Sequence, residues 1–305
     1  MTVPLASSEP FASVIIPCFN AASMIDRLLE SLQAQSLDKS RFEVICIDNG
    51  SSDETLEVLE KLRQRLSIDL KIGEESGVVG SYAARNKGIG LSSGDVLFFT
   101  DADCVADSVW LEHGIRALLE FGRNTICGGA VELFSSSPDS PSAVEMFEMI
   151  LGFSQRRNVE ENGYSVTANL MCWRECLSEV GLFNSQLRSK GDFEWCSRAK
   201  EKQYVFSYVG SAMVFHPARR TLGSIVTKTR RVTGGQRDIK KLDGNNTRLG
   251  RSGRSLTAQL RLVLSDRRFP KLRQKVAVLN VACLVYVVKT FEKLRLYLGA
   301  RSERR

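Results

Sequence analysis

The sequence predicts an α/β protein: an open, mainly parallel sheet flanked by helices, followed by a basic helical C-terminal extension. Three observations carry that expectation. Through residues 11–217, apolar runs of strand length alternate with stretches of helical period, the pattern of parallel strands joined by crossover helices. Those runs close abruptly on polar or acidic residues, most sharply where Val96-Leu-Phe-Phe-Thr100 meets Asp101-Ala-Asp103. The charge also divides: residues 1–218 carry 19 Lys/Arg against 30 Asp/Glu, whereas 219–305 carry 23 against 5. The expected domains are therefore 1–218 and 219–305. A basic tail on an acidic body points to an anionic partner surface, membrane or nucleic acid.

Taken in order, Phe11–Cys18 is the first strand, broken by Pro17 and the turn-prone Asn20. Ser23, with Asp26 three residues on, is expected to cap a helix whose apolar positions are Met24, Ile25, Leu28, Leu29 and Leu32. Phe42–Ile47 is a second buried strand, and Asp53 is expected to cap the helix that runs to about Leu66. Helices are expected over 78–91 and 107–121, with strands over 95–100 and 125–134. A Ser/Pro-rich break at 135–142 reads as a loop, with helices following at 143–157, 174–180 and 191–201. Strand-like stretches then lead to Phe215-His216-Pro217.

Beyond Ala218, residues 240–255 read as a Gly/Asn/Arg/Ser-rich linker. Val276–Val288 is an apolar run of 13 residues, short of the roughly 20 that span a bilayer. Basic residues flank it, so it reads either as an interfacial helix on an anionic membrane or as a helix packed on the body. The tail lacks the interleaved aromatics of a single-strand nucleic-acid platform, which disfavours nucleic acid. The eight cysteines form no C-x-x-C pair and lie mostly in apolar runs, as small hydrophobes in a reducing compartment would. No cleavable signal-peptide pattern opens the chain. A cytoplasmic body, peripheral on the membrane, is the expected localisation.

Paired acids at the end of a buried strand are costly unless a cation neutralises them, and hard oxygen ligands suit Mg²⁺ or Mn²⁺. Around Asp101 and Asp103 other motifs fall in one order. They are Val14-Ile-Ile-Pro-Cys-Phe-Asn20, Ile47-Asp-Asn-Gly-Ser-Ser-Asp53, Ala83-Ala-Arg-Asn-Lys-Gly-Ile89, Gly181-Leu-Phe-Asn184, Lys190-Gly-Asp-Phe-Glu194 and Val214-Phe-His216. This succession resembles the family-2 glycosyltransferases of GT-A fold. The resemblance implies an inverting, metal-dependent transfer of one sugar from a nucleotide-sugar donor, a UDP-sugar by default. The acceptor would be a hydroxyl of a glycan or lipid-linked molecule, in cell-envelope or exopolysaccharide synthesis. It implies that Pro17, Asn20, Asp48, Arg85 and Asp101 meet the nucleotide. Asp103, with Asp101 and His216, would hold the metal. Asp192 would be the general base, and Glu194 would orient the acceptor.

Each residue also admits a plainer reading. Asp48 can form an Asx turn, Arg85 can be a solvated helix charge, and Asp192 can be a helix N-cap. Glu194 can face solvent, His216 can be structural, and Trp195 can belong to the core rather than stack on a sugar. The family pattern is commonly Gly-Glu-Asp where this chain has Lys190-Gly-Asp192. Gly234-Gly-Gln-Arg-Asp238 does not match the Gln-x-x-Arg-Trp signature of processive synthases, which favours single transfer. A polyprenyl-phosphate sugar synthase is the alternative on the same fold. A nucleotidyltransferase would need a Gly-rich loop where Pro17-Cys-Phe-Asn20 stands.

Overall fold

The computed structural model describes residues 10–242 and 255–300, Phe153 excepted. Along the chain run β1 (Ala12–Cys18), α1 (Ile25–Gln33), β2 (Phe42–Asp48), α2 (Thr55–Arg65), β3 (Asp69–Glu74), α3 (Ser81–Leu91), β4 (Val96–Phe99) and β5 (Val105–Ala106). Then come α4 (Trp110–Phe121), β6 (Thr125–Phe134), α5 (Ala143–Phe147), α6 (Gln155–Glu160), β7 (Leu170–Trp173) and α7 (Arg174–Val180). The last elements are α8 (Gly191–Glu201), β8 (Val205–Pro217), α9 (Leu222–Leu242), α10 (Leu256–Ser265) and α11 (Leu272–Tyr297). The chain divides into two compact units: 1–130 with 155–185 and 195–214, and 131–154 with 186–194 and 215–305.

The sheet order is β3-β2-β1-β4-β7-β6-β8-β5. Its first four positions are parallel, with Val14 level with Val44 on one side and Phe98 on the other. It turns antiparallel at β7, which pairs with β4 and β6. The inner parallel strands β2 and β4 are buried on both faces, with every residue of each buried.

In the first unit two buried polar side chains, Asn169 and Glu43, organise the packing around them. Asn169 is fully buried, accepts from Trp110 Nε1 at 2.9 Å, and donates to the carbonyls of Ala130 (2.8 Å) and Ala212 (3.0 Å). The Gly129 backbone lies against this amide; a Cβ there would come within 2.3 Å of the Ala212 carbonyl. Glu43 accepts from Ser13 Oγ at 2.6 Å and from the Ser93 backbone N–H at 2.5 Å, and it pairs with Lys71. Burial pushes its carboxyl up, but Lys71, Ser13 and Ser93 outweigh that and hold it below the ordinary value.

The second unit has its own core, in which Val144, Met146, Phe147 and Ile150 meet Ile225, Val263, Phe269, Val278 and Val281. Ser142 and Glu145 form a full capping box at the start of α5. Seven of the eight cysteines are buried and none is bridged; Cys283, on α11, is exposed.

Several expectations need correcting. Ser23 caps nothing: α1 starts at Ile25 behind Met24, without a side-chain cap, and Asp26 accepts from the Arg27 N–H instead. Asp53 stands one residue ahead of the α2 cap, although it does accept from the first helical N–H, at Thr55. Strands β3 and β7 were not anticipated. The expected 143–157 helix is interrupted by a π turn at Glu148–Gly152. Helix α9 continues where only a change of character was expected. Most of the expected 240–255 linker lies outside the described residues. The 13-residue apolar run is the middle of a 26-residue helix that is long and apolar enough to cross a membrane by length and composition.

A carboxyl held low in the folded state stabilises fully above its unfolded value, and that stability is lost as pH falls through the folded one. Urea titration should therefore show Glu43→Gln less stable by about 1–3 kcal/mol at pH 7. The difference from the parent should shrink below about pH 4.

Candidate active site

Strand order locates the site. After β1 the chain builds outward through β2 and β3, then returns to the other side of β1 with β4. That reversal is where open α/β sheets leave a crevice at the carboxyl ends of their strands. Pro17 deepens it. The Ile15 carbonyl faces β4 and accepts from the Thr100 N–H at 3.4 Å. The backbone nitrogen two residues on, at Pro17, faces the same way and carries no hydrogen. The β1–β4 ladder accordingly stops at Ile15 and Phe99, while β1–β2 pairing continues to Cys18 and Asp48. Asp101 and Asp103 follow directly from the strand that diverges.

On the β2 side, Asp48 is buried and its Oδ2 accepts from the backbone N–H groups of Gly50 and Ser51, both at 3.0 Å. This is the Asx turn, with Ser51 Oγ also bonded to Asp48. Asn20, at φ +49°, closes the turn from β1: its N–H donates to Ser51 Oγ at 2.9 Å, and its Oδ1 accepts from Ser52 N–H at 2.8 Å. Asn20 and Asp48 thus shape one loop. Sequence reasoning missed Asn49, whose amide donates to the Glu75 and Val78 carbonyls and accepts from Gly80 N–H. It ties the end of β2 to the start of α3.

Helix α3 carries Arg85 inward. Its side chain is 3% exposed, Nη2 donates to Asp101 Oδ1 at 2.5 Å, and the guanidinium lies 5.7 Å from the Tyr82 ring centroid. Arg85 is therefore not a solvated helix charge. Its buried Nε has no hydrogen-bond partner among the described residues. Neighbouring Cys104 is fully buried, and burial, then the charges of Asp101 and Asp103, push its thiol well above the ordinary value. After β4 the carboxylates of Asp101 and Asp103 offer hard oxygen donors, which fit Mg²⁺ or Mn²⁺.

Phe183 was also missed. Asn86 clamps its backbone by two bonds, of 2.8 and 3.0 Å, and its ring lies 5.4 Å from Phe99 and 5.2 Å from Trp195. Trp195 is fully buried and donates to the Gly181 carbonyl at 2.8 Å, so its ring belongs to the core.

In the second unit, Asp192 and Glu194 occupy the first turn of α8, both half-buried. Asp192 lies inside that turn and accepts from the Phe193 N–H at 2.8 Å, so it is not the N-cap. Lys190 stands at φ +67°, where the family pattern has glycine; the left-handed conformation costs an L-residue about 1–2 kcal/mol. Gly235 of α9 presses on this segment: a Cβ there would lie 2.7 Å from the Ser189 carbonyl. His216 is buried, with Nδ1 2.9 Å from the Pro217 carbonyl oxygen. A carbonyl oxygen only accepts, so Nδ1 is the donor of that bond.

Comparison with known proteins identifies the family. Residues 13–178 match the model of glycosyl transferase family 2. Over 239 residues the chain is 34% identical to the glycosyltransferase AglE of Haloferax volcanii, covering 78% of this chain and 77% of that one. Validoxylamine A glucosyltransferase of Streptomyces hygroscopicus is 34% identical over 116 residues, 38% of this chain but only 27% of that protein. Among solved structures, the mannosyltransferase PcManGT from Pyrobaculum calidifontis, in complex with GDP-Man and Mn²⁺, superposes with a TM-score of 0.58 at 18% identity. That match covers 95% of this chain and 82% of PcManGT. TarS 1–349 of S. aureus, in complex with UDP-GlcNAc, gives 0.55 at 18% identity over 91% of this chain and 81% of that one. The structural likeness speaks for the GT-A fold; the sequence match carries the family. This chain is a transferase enzyme that belongs to glycosyl transferase family 2.

Proposed function

We propose that the enzyme moves a single sugar, with inversion, from a nucleotide-sugar donor to a hydroxyl of a glycan or lipid-linked acceptor. The pairing of the buried Arg85 with the half-buried Asp101, beside Asp103 at the sheet's reversal point, is the observation that carries this reading. Asp101 and Asp103 would hold a Mg²⁺ or Mn²⁺ ion. Bound there, the ion supplies Lewis-acid stabilisation of the departing nucleoside diphosphate. Arg85 fixes the Asp101 carboxylate and keeps an N–H for the nucleotide. Asp48 and Asn20 shape the loop that receives the nucleoside, and Pro17 keeps the crevice open beside it. The nucleotide, UDP by default, and the catalytic role of residues 1–218 belong to the same proposal.

In the second unit Asp192 takes the proton of the acceptor hydroxyl. The freed oxygen forms its bond to the anomeric carbon as the bond to the diphosphate oxygen breaks on the opposite face, and that electron pair leaves with the diphosphate. Glu194 orients the acceptor. We assign 219–305 to an anionic membrane surface on the cytoplasmic side. One face of α11 packs in its unit's core through Val278 and Val281, while Leu272, Val276, Val287, Phe291 and Leu294 are exposed. A helix committed to protein on one face suits lying on a bilayer better than crossing it.

Released nucleoside diphosphate, measured across UDP-, GDP- and dTDP-sugars with Mn²⁺ or Mg²⁺, tests the donor site. Turnover with one of them is expected, with Asp103→Asn lowering it at least a hundredfold; absence of turnover with every donor and both cations refutes the reading. Asp192→Asn should lower transfer to a hydroxyl acceptor by about 10²–10⁴-fold. Retained transfer in that variant, to a polyprenyl phosphate whose oxygen needs no base, would favour the phosphate-acceptor alternative.

A further inference from the structure

Two adjacent arginines of the second unit are used in opposite ways. Arg219 is tied to the buried Glu148, through its N–H at 2.9 Å and Nη1 at 3.2 Å, and Lys228 pairs with the same carboxylate. Arg220 is held only loosely. Its Nε stands 4.0 Å from Glu145, its Nη2 is 3.4 Å from Ser137 Oγ, and the side chain is 61% exposed. Glu145 is already committed to Ser135, Ser136 and the Ser142 capping box, so it has little left for that guanidinium.

Arg220 borders a groove of about 440 Å³ between the start of α5 and α11. Its walls are Ala143, Val144, Leu222, Ala277, Val281 and Leu284. Of the remaining lining residues, Ser142 spends its hydroxyl on Glu145 and on the Arg220 carbonyl, which leaves Asn280 and Arg220 as the polar contacts available. A peptide backbone in such a slot would lack hydrogen-bond partners. A hydrocarbon chain needs none, and at roughly 30 Å³ per water-sized group the groove holds on the order of fifteen chain atoms. It lies on α11, the helix that also exposes Leu272 and Val276, in a region with 23 basic residues against 5 acidic ones.

We propose that this groove seats the hydrocarbon chain of a lipid phosphate, with the phosphate paired to the Arg220 guanidinium. The planar fork of arginine matches phosphate oxygens, and an amphiphile with one apolar chain and one anionic end satisfies both halves of the site. The inference rests on the membrane-surface reading of residues 219–305 and names the ligand class which that surface would present.

The test titrates farnesyl phosphate, kept below its micelle concentration, into the full chain without nucleotide or metal, against farnesol and inorganic phosphate. Calorimetry and thermal shift supply the readouts. Farnesyl phosphate is expected to bind at least tenfold more tightly than farnesol, and inorganic phosphate not to bind. Arg220→Gln should reduce farnesyl phosphate to the affinity of farnesol. Ala277→Phe, which fills the groove, should abolish both, and Leu222→Trp, at another lining residue, does the same should the first variant fold poorly. The proposal is overturned by no binding of farnesyl phosphate to the parent chain, by binding that survives the filled groove, by indifference to Arg220→Gln, or by equal binding of inorganic phosphate. Sugar-nucleotide hydrolysis in the same preparations is expected unchanged, so loss of this site and loss of the transferase reading are told apart.

Discussion

A guanidinium sealed into a protein interior must be answered by an anion, because an unpaired buried charge costs several kcal/mol. Arg85 is such a group, and Asp101 answers it from the end of β4. The pair constrains its surroundings in both directions. Helix α3 has to present Arg85 inward, which the Asn49 and Gly80 junction arranges by anchoring the start of that helix to the end of β2. The chain leaving β4 has to bring a carboxylate back over the helix, which the ending of the β1–β4 ladder at Pro17 permits. One ion pair thereby connects two crossover units of the sheet at the place where its strand order reverses.

Much of this was legible in the sequence. Asp48, Asp101 and Asp103 close buried apolar runs, and a polar residue closing such a run is conspicuous whatever its role. The helical period of Leu28, Leu29 and Leu32 was equally plain. Strand β3 escaped because it lies at the sheet edge and alternates Leu70 and Ile72 with polar neighbours, a weaker signal than a continuous run. Strand β7 is only four residues long and runs straight into α7. Asn49 and the Asn86 clamp on Phe183 could not be read at all. Their value lies in partners 26 to 97 positions away, which no local pattern encodes. Capping shows the same limit: the Ser142-x-x-Glu145 spacing forms its box, whereas Ser23 with Asp26 does not.

Buried acids recur in the second unit, with a different arrangement. Glu148 sits at a π turn, accepts from Arg219 and pairs with Lys228. Burial pushes its carboxyl up, but Lys228 and Arg219 outweigh that and hold it below the ordinary value. The wider turn lets a short helical stretch meet two cations contributed from after β8 and from α9. The strong positive excess of residues 219–305 is thus partly spent inside, where it organises the fold, and partly displayed outside.

Cysteine placement has a practical consequence. Cys127 illustrates the interior thiols: burial pushes it up to about 12, so it offers almost no thiolate at neutral pH. Cys283 alone faces outward, midway along α11. The unaltered polypeptide therefore carries a single addressable handle. A polarity-sensitive maleimide dye attached there would sense its immediate medium, distinguishing water from hydrocarbon at the midpoint of that helix.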